Sequence, residues 1–312
     1  MKQRNRLTAI AAGLGLGLVM ASGTASAVQA TTWSYSTDAN FTGSTFETGG
    51  GGTTTQTVDG NQLSWGATGG NFTVDTGDAE SNRSALTIGT GSTGASRYSG
   101  GPATGTINTT FGGVPSVILG QIGTGVTFTH FNNPISGDFN TLLRGQVTDT
   151  LTLTAIAPAP EFSPIPGPTT TLTPIIFNFE FRETPNDPAS GLCADGTPPP
   201  VGGCGDLFGF SGTSTLNQSF VYAGETYLAS IFVLGPGGGA SPIGTLAAGE
   251  CAALGLAAGC QGFKTAEDAA TTVQFAFAIT TEPIRVPEPG SLALFGLAFA
   301  GLGFAARRRK AG

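Results

Sequence analysis

Period-two alternation of apolar and polar residues runs through the middle of the chain. Phe177, Phe179 and Phe181 point one way while Asn178, Glu180 and Arg182 point the other. Leu151, Leu153 and Ala155 alternate with Thr150, Thr152 and Thr154, and Val273, Phe275, Phe277 and Ile279 oppose Thr272, Gln274 and Thr280. Successive Cβ atoms leave opposite faces of a sheet, so this alternation predicts half-buried strands. Shorter strands are expected at 31–37, 62–67, 71–75, 86–89 and 208–212. Segment 227–234 is apolar on both faces. A central buried strand and one short helix both fit it, because periodicity does not separate them. The alanine-rich run 247–258, bounded by Gly249 and Gly259, predicts a helical turn. No other segment reads as a long amphipathic helix.

Two segments break the alternation. The stretch 158–174 carries Pro158, Pro160, Pro164, Pro166, Pro168 and Pro174, which makes it an extended connector rather than a strand. The stretch 184–205 is rich in Pro and Gly and reads as a loop. Many short antiparallel strands separated by turns predict an all-β fold: an antiparallel β-sandwich, jelly-roll-like, over residues 28–285. The connector could divide two domains, but the favoured reading is that it links sheets within one sandwich.

The two ends follow a different grammar. Lys2, Arg4 and Arg6 precede an apolar stretch from Leu7 to Met20, and Ala25-Ser26-Ala27 offers small residues at signal-peptidase spacing. Residues 1–27 are therefore expected to be a cleaved signal peptide. At the other end Pro287-Glu288-Pro289 is followed by an apolar run of 16 residues, Ser291 to Ala306, and then by Arg307-Arg308-Arg309-Lys310. A comfortable membrane crossing takes about 20 residues, a deficit that snorkelling basic side chains can partly make up. Basic flanks stay on the cytoplasmic side, so everything between the two ends is expected to be exported.

Pro-Glu-Pro, a glycine-dotted hydrophobic helix and a basic cap, in that order over residues 286–312, resemble the PEP-CTERM sorting signal of bacterial surface proteins. The resemblance implies an exosortase-type transpeptidase that cuts near Pro287, Glu288 and Pro289. It also implies a Gram-negative bacterium making exopolysaccharide, with the single C-terminal helix a transient membrane address. The sequence Thr129-His130-Phe131-Asn132 is similar to the motif of the THxN family of PEP-CTERM proteins, which belongs with the choice-of-anchor domains; Thr129, His130, Asn132 and Pro134 carry that likeness. It implies a surface β domain without specifying an activity.

Charge narrows the partners. Between residues 28 and 286 there are six basic and nineteen acidic residues, a net charge of −13. Such a balance disfavours nucleic acid and anionic lipid, so membrane contact is expected only through the C-terminal helix before processing. The four cysteines fall in two local pairs, Cys193/Cys204 and Cys251/Cys260. In an exported chain they read as disulfides with three possible connectivities, of which local pairing suits two loops lacking cores of their own. The pairs are too widely spaced for the tight C-x-x-C arrangement of a zinc site.

Candidate chemistry is sparse. His130 is the only histidine, and no G-x-S-x-G elbow accompanies it, so no catalytic residue is assigned. The favoured reading makes His130 a strand-end imidazole bonded to loop carbonyls, with Asn132 and Asn133 shaping a turn before Pro134. Asp75, Asp78 and Glu80 surround Gly77 and offer hard oxygen ligands for Ca²⁺, though a solvated acidic turn fits them too. Asp187 and Asp195 are a second acidic choice. Glu180 and Glu225 are formal candidates for a glycosidase pair. Trp33, Tyr35, Trp65 and Tyr98 could stack on sugars, although Trp33 and Trp65 read more simply as core. The chain is thus expected to be a non-catalytic structural or adhesive surface component associated with exopolysaccharide. A Ca²⁺-dependent carbohydrate-binding module and a polysaccharide hydrolase are the alternatives.

Overall fold

The computed structural model describes residues 29–67, 83–91, 94–116, 118–157, 169–184, 191–200, 203–210, 217–234 and 244–284. The signal-peptide segment, the C-terminal helix, the strand expected at 71–75 and most of the proline connector lie outside the described residues, as do Asp75, Asp78, Glu80 and Asp187.

Fifteen strands are described. They are β1 (Thr32–Phe46), β2 (Thr55–Gln56), β3 (Gln62–Gly66), β4 (Arg83–Gly89), β5 (Ala103–Asn108), β6 (Gly123–Asn132), β7 (Leu142–Ala157) and β8 (Thr169–Thr171), then β9 (Ile175–Arg182), β10 (Asp206–Phe210), β11 (Gln218–Tyr222), β12 (Glu225–Leu234), β13 (Gly244–Thr245), β14 (Gln261–Thr265) and β15 (Ala269–Thr280). One short helix, α1 (Ala248–Ala253), falls inside the predicted alanine-rich run. The doubly apolar segment 227–234 belongs to β12, which lies between β11 and β15 in its sheet. Its pairing to a neighbour on each edge decides for strand over helix where periodicity did not.

The strands form two antiparallel sheets. One runs β13-β14-β10-β9-β7-β1-β5, with β8 also paired to β7; the other runs β11-β12-β15-β6-β4-β3-β2. They pack face to face, with the alternating apolar residues turned inward. Trp33, Leu153, Val147 and Phe179 come from the first sheet, and Trp65, Val126, Tyr227 and Ile279 from the second. Rings interlock across the gap, Trp33 against Tyr227 at 5.3 Å, Tyr35 against Phe277 at 4.7 Å and Phe128 against Phe179 at 5.7 Å, all edge to face. Edge-to-face geometry sets the positive ring edge against the negative face. Trp33, Tyr35 and Trp65 are therefore core residues and offer no platform for a sugar.

A small lobe covers the outer side of the first sheet near β10. Leu207, Leu246, Cys251 and Leu254 form its own apolar cluster. Cys193–Cys204 and Cys251–Cys260 are disulfide-bonded. Gly209 and Gly262 face each other in the β10–β14 register, directly beneath the lobe. A Cβ on Gly209 would stand 2.6 Å from Leu256 and 2.7 Å from Leu254, so the lobe sits down only because these positions lack side chains. Lys264 on β14 holds the lobe from the side, with Nζ 2.8 Å from both Asp195 and Glu250.

The strand directions define two ends of the sandwich. The chain enters at Ala30–Thr31 and leaves after Thr280 at one end, where Thr109 donates to the Thr31 carbonyl and Thr110 to that of Ile279. From there β6 runs ten residues, about 30 Å at ~3.3 Å per residue, to His130 and Asn132 at the other end. We call these the terminal pole and the histidine pole.

Candidate functional site

Along β6 the period of two places Val126, Phe128, His130 and Asn132 on the inner face of the sheet and Thr129 on the outer one. The Thr-His-x-Asn motif is thus split between faces. Thr129 meets Thr272 across the strand pair, hydroxyl to hydroxyl at 2.9 Å. His130 and Asn132 point into the sandwich, where both are fully buried.

The His130 imidazole is enclosed by aromatic rings. Trp65 stacks on it at 5.7 Å and 19°, while Phe181 and Phe208 meet it edge-on at 5.4 and 5.1 Å. Its polar contacts differ from the expected loop carbonyls. Nδ1 lies 2.8 Å from the Thr265 hydroxyl, and that hydroxyl in turn donates towards the Asp206 carbonyl at 3.5 Å. That direction of the hydroxyl proton favours the tautomer with the imidazole hydrogen on Nδ1. Nε2 faces Asp206 Oδ2 across 3.9 Å, both side chains fully buried. The imidazole departs from the expectation because it lies two residues inside the strand on an inward parity, away from loop backbone. The following Asn133 does join backbone, its amide donating to the Arg83 carbonyl at 2.8 Å and so fastening the end of β6 to the start of β4.

Three carboxyls gather around this histidine. Asp206 Oδ1 accepts from the backbone N–H of Thr184 at 2.8 Å and from its hydroxyl at 3.2 Å. Glu183 Oε2 accepts from the Trp65 indole at 3.0 Å, and Glu267 Oε1 accepts from the Asn132 amide at 3.1 Å. Burial drives their electrostatics. It holds His130 down to about 3. It pushes Glu183 up to about 8 against the pull of the indole donor, with the charges of Glu267 and Glu47 adding to the rise. Burial likewise carries Asp206 well above the usual carboxylate range, helped by Glu183 and Glu267 and opposed by Thr184. Glu267 rises to about 7 for the same first reason. A neutral imidazole beside protonated acids is the self-consistent state, since low dielectric disfavours charge on either partner.

Four buried polar atoms here make no hydrogen bond with any described residue: His130 Nε2, Asn132 Oδ1, Asp206 Oδ2 and Glu183 Oε1. Among the described residues no three His, Cys, Asp or Glu side chains are placed to hold a metal ion. General acid–base work needs a substrate within hydrogen-bond reach, and a fully buried His130–Asp206 pair gives none. The arrangement joins the sheets, and among the described residues His130 and Asp206 are both closed off from solvent.

The remaining predicted residues within the described part do not assemble. Glu180 lies on β9 opposite Arg144, towards the histidine pole, whereas Glu225 starts β12 at the terminal pole, within 3.4 Å of the Gln29 amide. They sit on different sheets and form no glycosidase pair. Asp195 is held in its charged form by Lys264 first and then by Thr197, and it serves the lobe. A shallow cleft of about 740 Å³ at the histidine pole is lined by Glu47, Gly49–Gly51, Asp138 and Asn140.

Asp206, Glu183, Glu267 and Thr265 were not singled out by motif reasoning. The parity of their strands contains them, however. Glu183 continues the inward series Phe177, Phe179 and Phe181, and Asp206 shares a face with Phe208.

Comparison with known sequences bears on the chain's end and not on its sandwich. Residues 285–310 match the PEP-CTERM protein-sorting motif. That match begins one residue after the last described strand-end segment. The motif marks this as an exported protein of the cell envelope or surface, one that exosortase recognises and processes. No curated protein matches the chain.

Proposed function

We propose that the exported sandwich is a non-catalytic structural or adhesive component that associates with exopolysaccharide through the outer face of its eight-stranded sheet. One observation carries the reading: that face is a regular array of hydroxyls. In register across four strands lie Thr106, Ser34, Thr154 and Thr169, and beside them Thr104, Ser36, Thr152 and Thr171. The rows are cross-linked by their own hydroxyls, Thr154 to Thr169 at 2.9 Å and Thr152 to Thr171 at 3.2 Å. None of the eight is charged. Such a surface offers both donors and acceptors to sugar hydroxyls, and among these eight positions no carboxylate intervenes. The full burial of His130 and Asp206 supports a non-catalytic role, because neither side chain is exposed to solvent.

The test is retention of the mature protein on the host exopolysaccharide, with Ca²⁺ and then with chelator, while released reducing ends are followed. The paired change Thr152→Val and Thr154→Val keeps shape and strand propensity but removes the central hydroxyls. Retention should fall at least several-fold and be indifferent to chelator. Unchanged retention would remove the hydroxyl face from consideration. Loss on chelation would favour a Ca²⁺-dependent module using Asp75, Asp78 and Glu80, and sugar release would favour a hydrolase.

A further inference from the structure

The terminal pole carries the most exposed large apolar side chains of any one loop among the described residues. In the loop between β5 and β6, Phe111 is 56% exposed, Val114 86%, Ile118 95% and Leu119 60%. Water-exposed aliphatic groups in one loop are unfavourable unless something covers them. The loop is firmly held. Gln121 donates its backbone N–H to the Ser116 carbonyl and accepts the Ser116 N–H through its side chain, at 3.1 and 3.0 Å. Asn108 fixes the same turn with bonds to the Gly120 and Leu119 carbonyls at 2.8 and 2.9 Å. Ile118 and Leu119 are therefore presented at the tip of a closed turn.

Position identifies the occupant. The same loop is bonded to the segment through which the chain leaves the sandwich: Thr281 donates to the Thr110 carbonyl, and Gly112 donates to the Thr281 hydroxyl at 3.0 Å. Gly113 lies so close to Pro283 that a Cβ there would stand 2.4 Å from its carbonyl oxygen. The sorting motif starts at residue 285, and its apolar run starts at Ser291. Six residues lie between Ile284 and Ser291, so seven Cα–Cα steps give a reach of at most about 25 Å at ~3.5 Å per step. While the apolar run is in a bilayer, this pole cannot be far from its surface.

Charge agrees. No Asp, Glu, Lys or Arg occurs from residue 98 to residue 137, in a chain whose exported part is strongly acidic. The acids of this pole, Glu225 and Glu282, come from other segments. A protein partner for an acidic domain would ordinarily be read through charge, whereas an uncharged aliphatic tip suits lipid.

We infer that Phe111, Val114, Ile118 and Leu119 form a membrane-contact surface, seated on the exported face of the bilayer that holds the chain's own tail. It extends membrane contact from the tail to the sandwich and would present the junction at 285–290 at a defined height for processing. The inference rests on the sorting motif and is independent of the polysaccharide reading.

The native tryptophans, Trp33 and Trp65, are fully buried, so a single added tryptophan reports its own surroundings. Full chain with its tail is reconstituted into phosphatidylcholine vesicles containing lipid brominated along the acyl chain. Three variants are compared: Ile118→Trp at the loop tip, Leu192→Trp at the histidine pole, where Leu192 is also exposed, and Leu294→Trp within the tail. Expected is strong quenching of the tail and loop reporters, with the loop signal at least twofold more quenched than Leu192→Trp and unaffected by salt. Quenching of Leu294→Trp with none at Ile118→Trp beyond Leu192→Trp would overturn the inference alone. An unquenched Leu294→Trp would overturn it together with the tail's membrane role. Protection of Ile118→Trp only on adding sorting enzyme would assign the loop to a protein partner and equally overturn it.

Discussion

The two poles of the sandwich are built from the same strands and solve opposite problems. At the histidine pole polar and ionisable groups are turned inward: His130 and Asp206 are fully buried, and Glu183 hides an oxygen behind Trp65. At the terminal pole apolar groups are turned outward, with Ile118 and Leu119 on a braced turn. Each inverts the usual distribution, and each has a cost, desolvated polar atoms in one case and hydrated aliphatic surface in the other. The difference lies in who compensates. Aromatic packing within the chain compensates the buried cluster, so that pole is a matter of stability. Among the described residues nothing covers the exposed loop, so that pole is a matter of contact. Substitutions at the first should change folding and leave binding alone, and substitutions at the second should do the reverse.

The largest expected effect is at the histidine pole. His130→Ala removes a side chain packed against Trp65, Phe181 and Phe208 and leaves the Thr265 hydroxyl without its imidazole partner. Cavity and lost hydrogen bond together should destabilise the fold by about 3–5 kcal/mol. Chemical denaturation of the mature protein reads this directly. A loss below about 1 kcal/mol would mean that the enclosing rings collapse to fill the space and that the imidazole is not a strut.

A smaller effect follows from pH. Glu183 has its folded pKa near 8, above the usual 4.5. Between those values the unfolded chain has released a proton that the folded chain keeps, so stability must fall as pH rises and level off above about 8. His130 works in the other sense, since the unfolded histidine takes up a proton below 6.5 that the folded one refuses until about 3. Above about pH 7.5 the imidazole is neutral in both states and the carboxyls act alone, whereas nearer 6.5 the partly protonated unfolded histidine offsets a small part of the fall. Glu183 should contribute a loss of about 2 kcal/mol from pH 6.5 to 8 at ~1.4 kcal/mol per pH unit, and Glu267, raised to about 7, adds to it in the lower half. Melting temperatures at pH 6.5 and 8 measure the slope. Glu183→Gln should flatten it and raise stability at pH 8; an unchanged slope would place the proton on another group.

Much of the sandwich was legible because its strands are half-buried and amphipathic. Phe177, Phe179 and Phe181 on one strand and Val273, Phe275 and Phe277 on another state their facing by parity alone. Strand β12 was ambiguous for the opposite reason, as its apolar residues fall on both parities and leave no alternation to read. The histidine was visible as a singular residue, but its partners were not. Asp206 lies 76 residues further along, and only the order of strands in the two sheets brings it to 3.9 Å. Pairing order is a long-range property that local periodicity does not encode. Had parity been followed past the phenylalanines, Glu183 and Asp206 would have stood out as acids on apolar faces. The exposed loop escaped notice because an apolar stretch between strands reads as one more buried segment until its surroundings are known.

The smallest expected effect sharpens the comparison most. Ile118→Ser with Leu119→Ser removes two side chains that the fold leaves in water. The backbone bonds that close the turn, from Gln121 to Ser116 and from Asn108 to Gly120, do not involve either side chain. Unfolding free energy should therefore stay within about 0.5 kcal/mol of the parent, as for surface positions generally. Measured by denaturation in solution without lipid, a larger loss would show that the loop packs on its own domain and that the terminal pole, like the histidine pole, is there for stability. A neutral result leaves the aliphatic tip with no internal role, and an exposed patch that contributes nothing to folding is retained for what it touches.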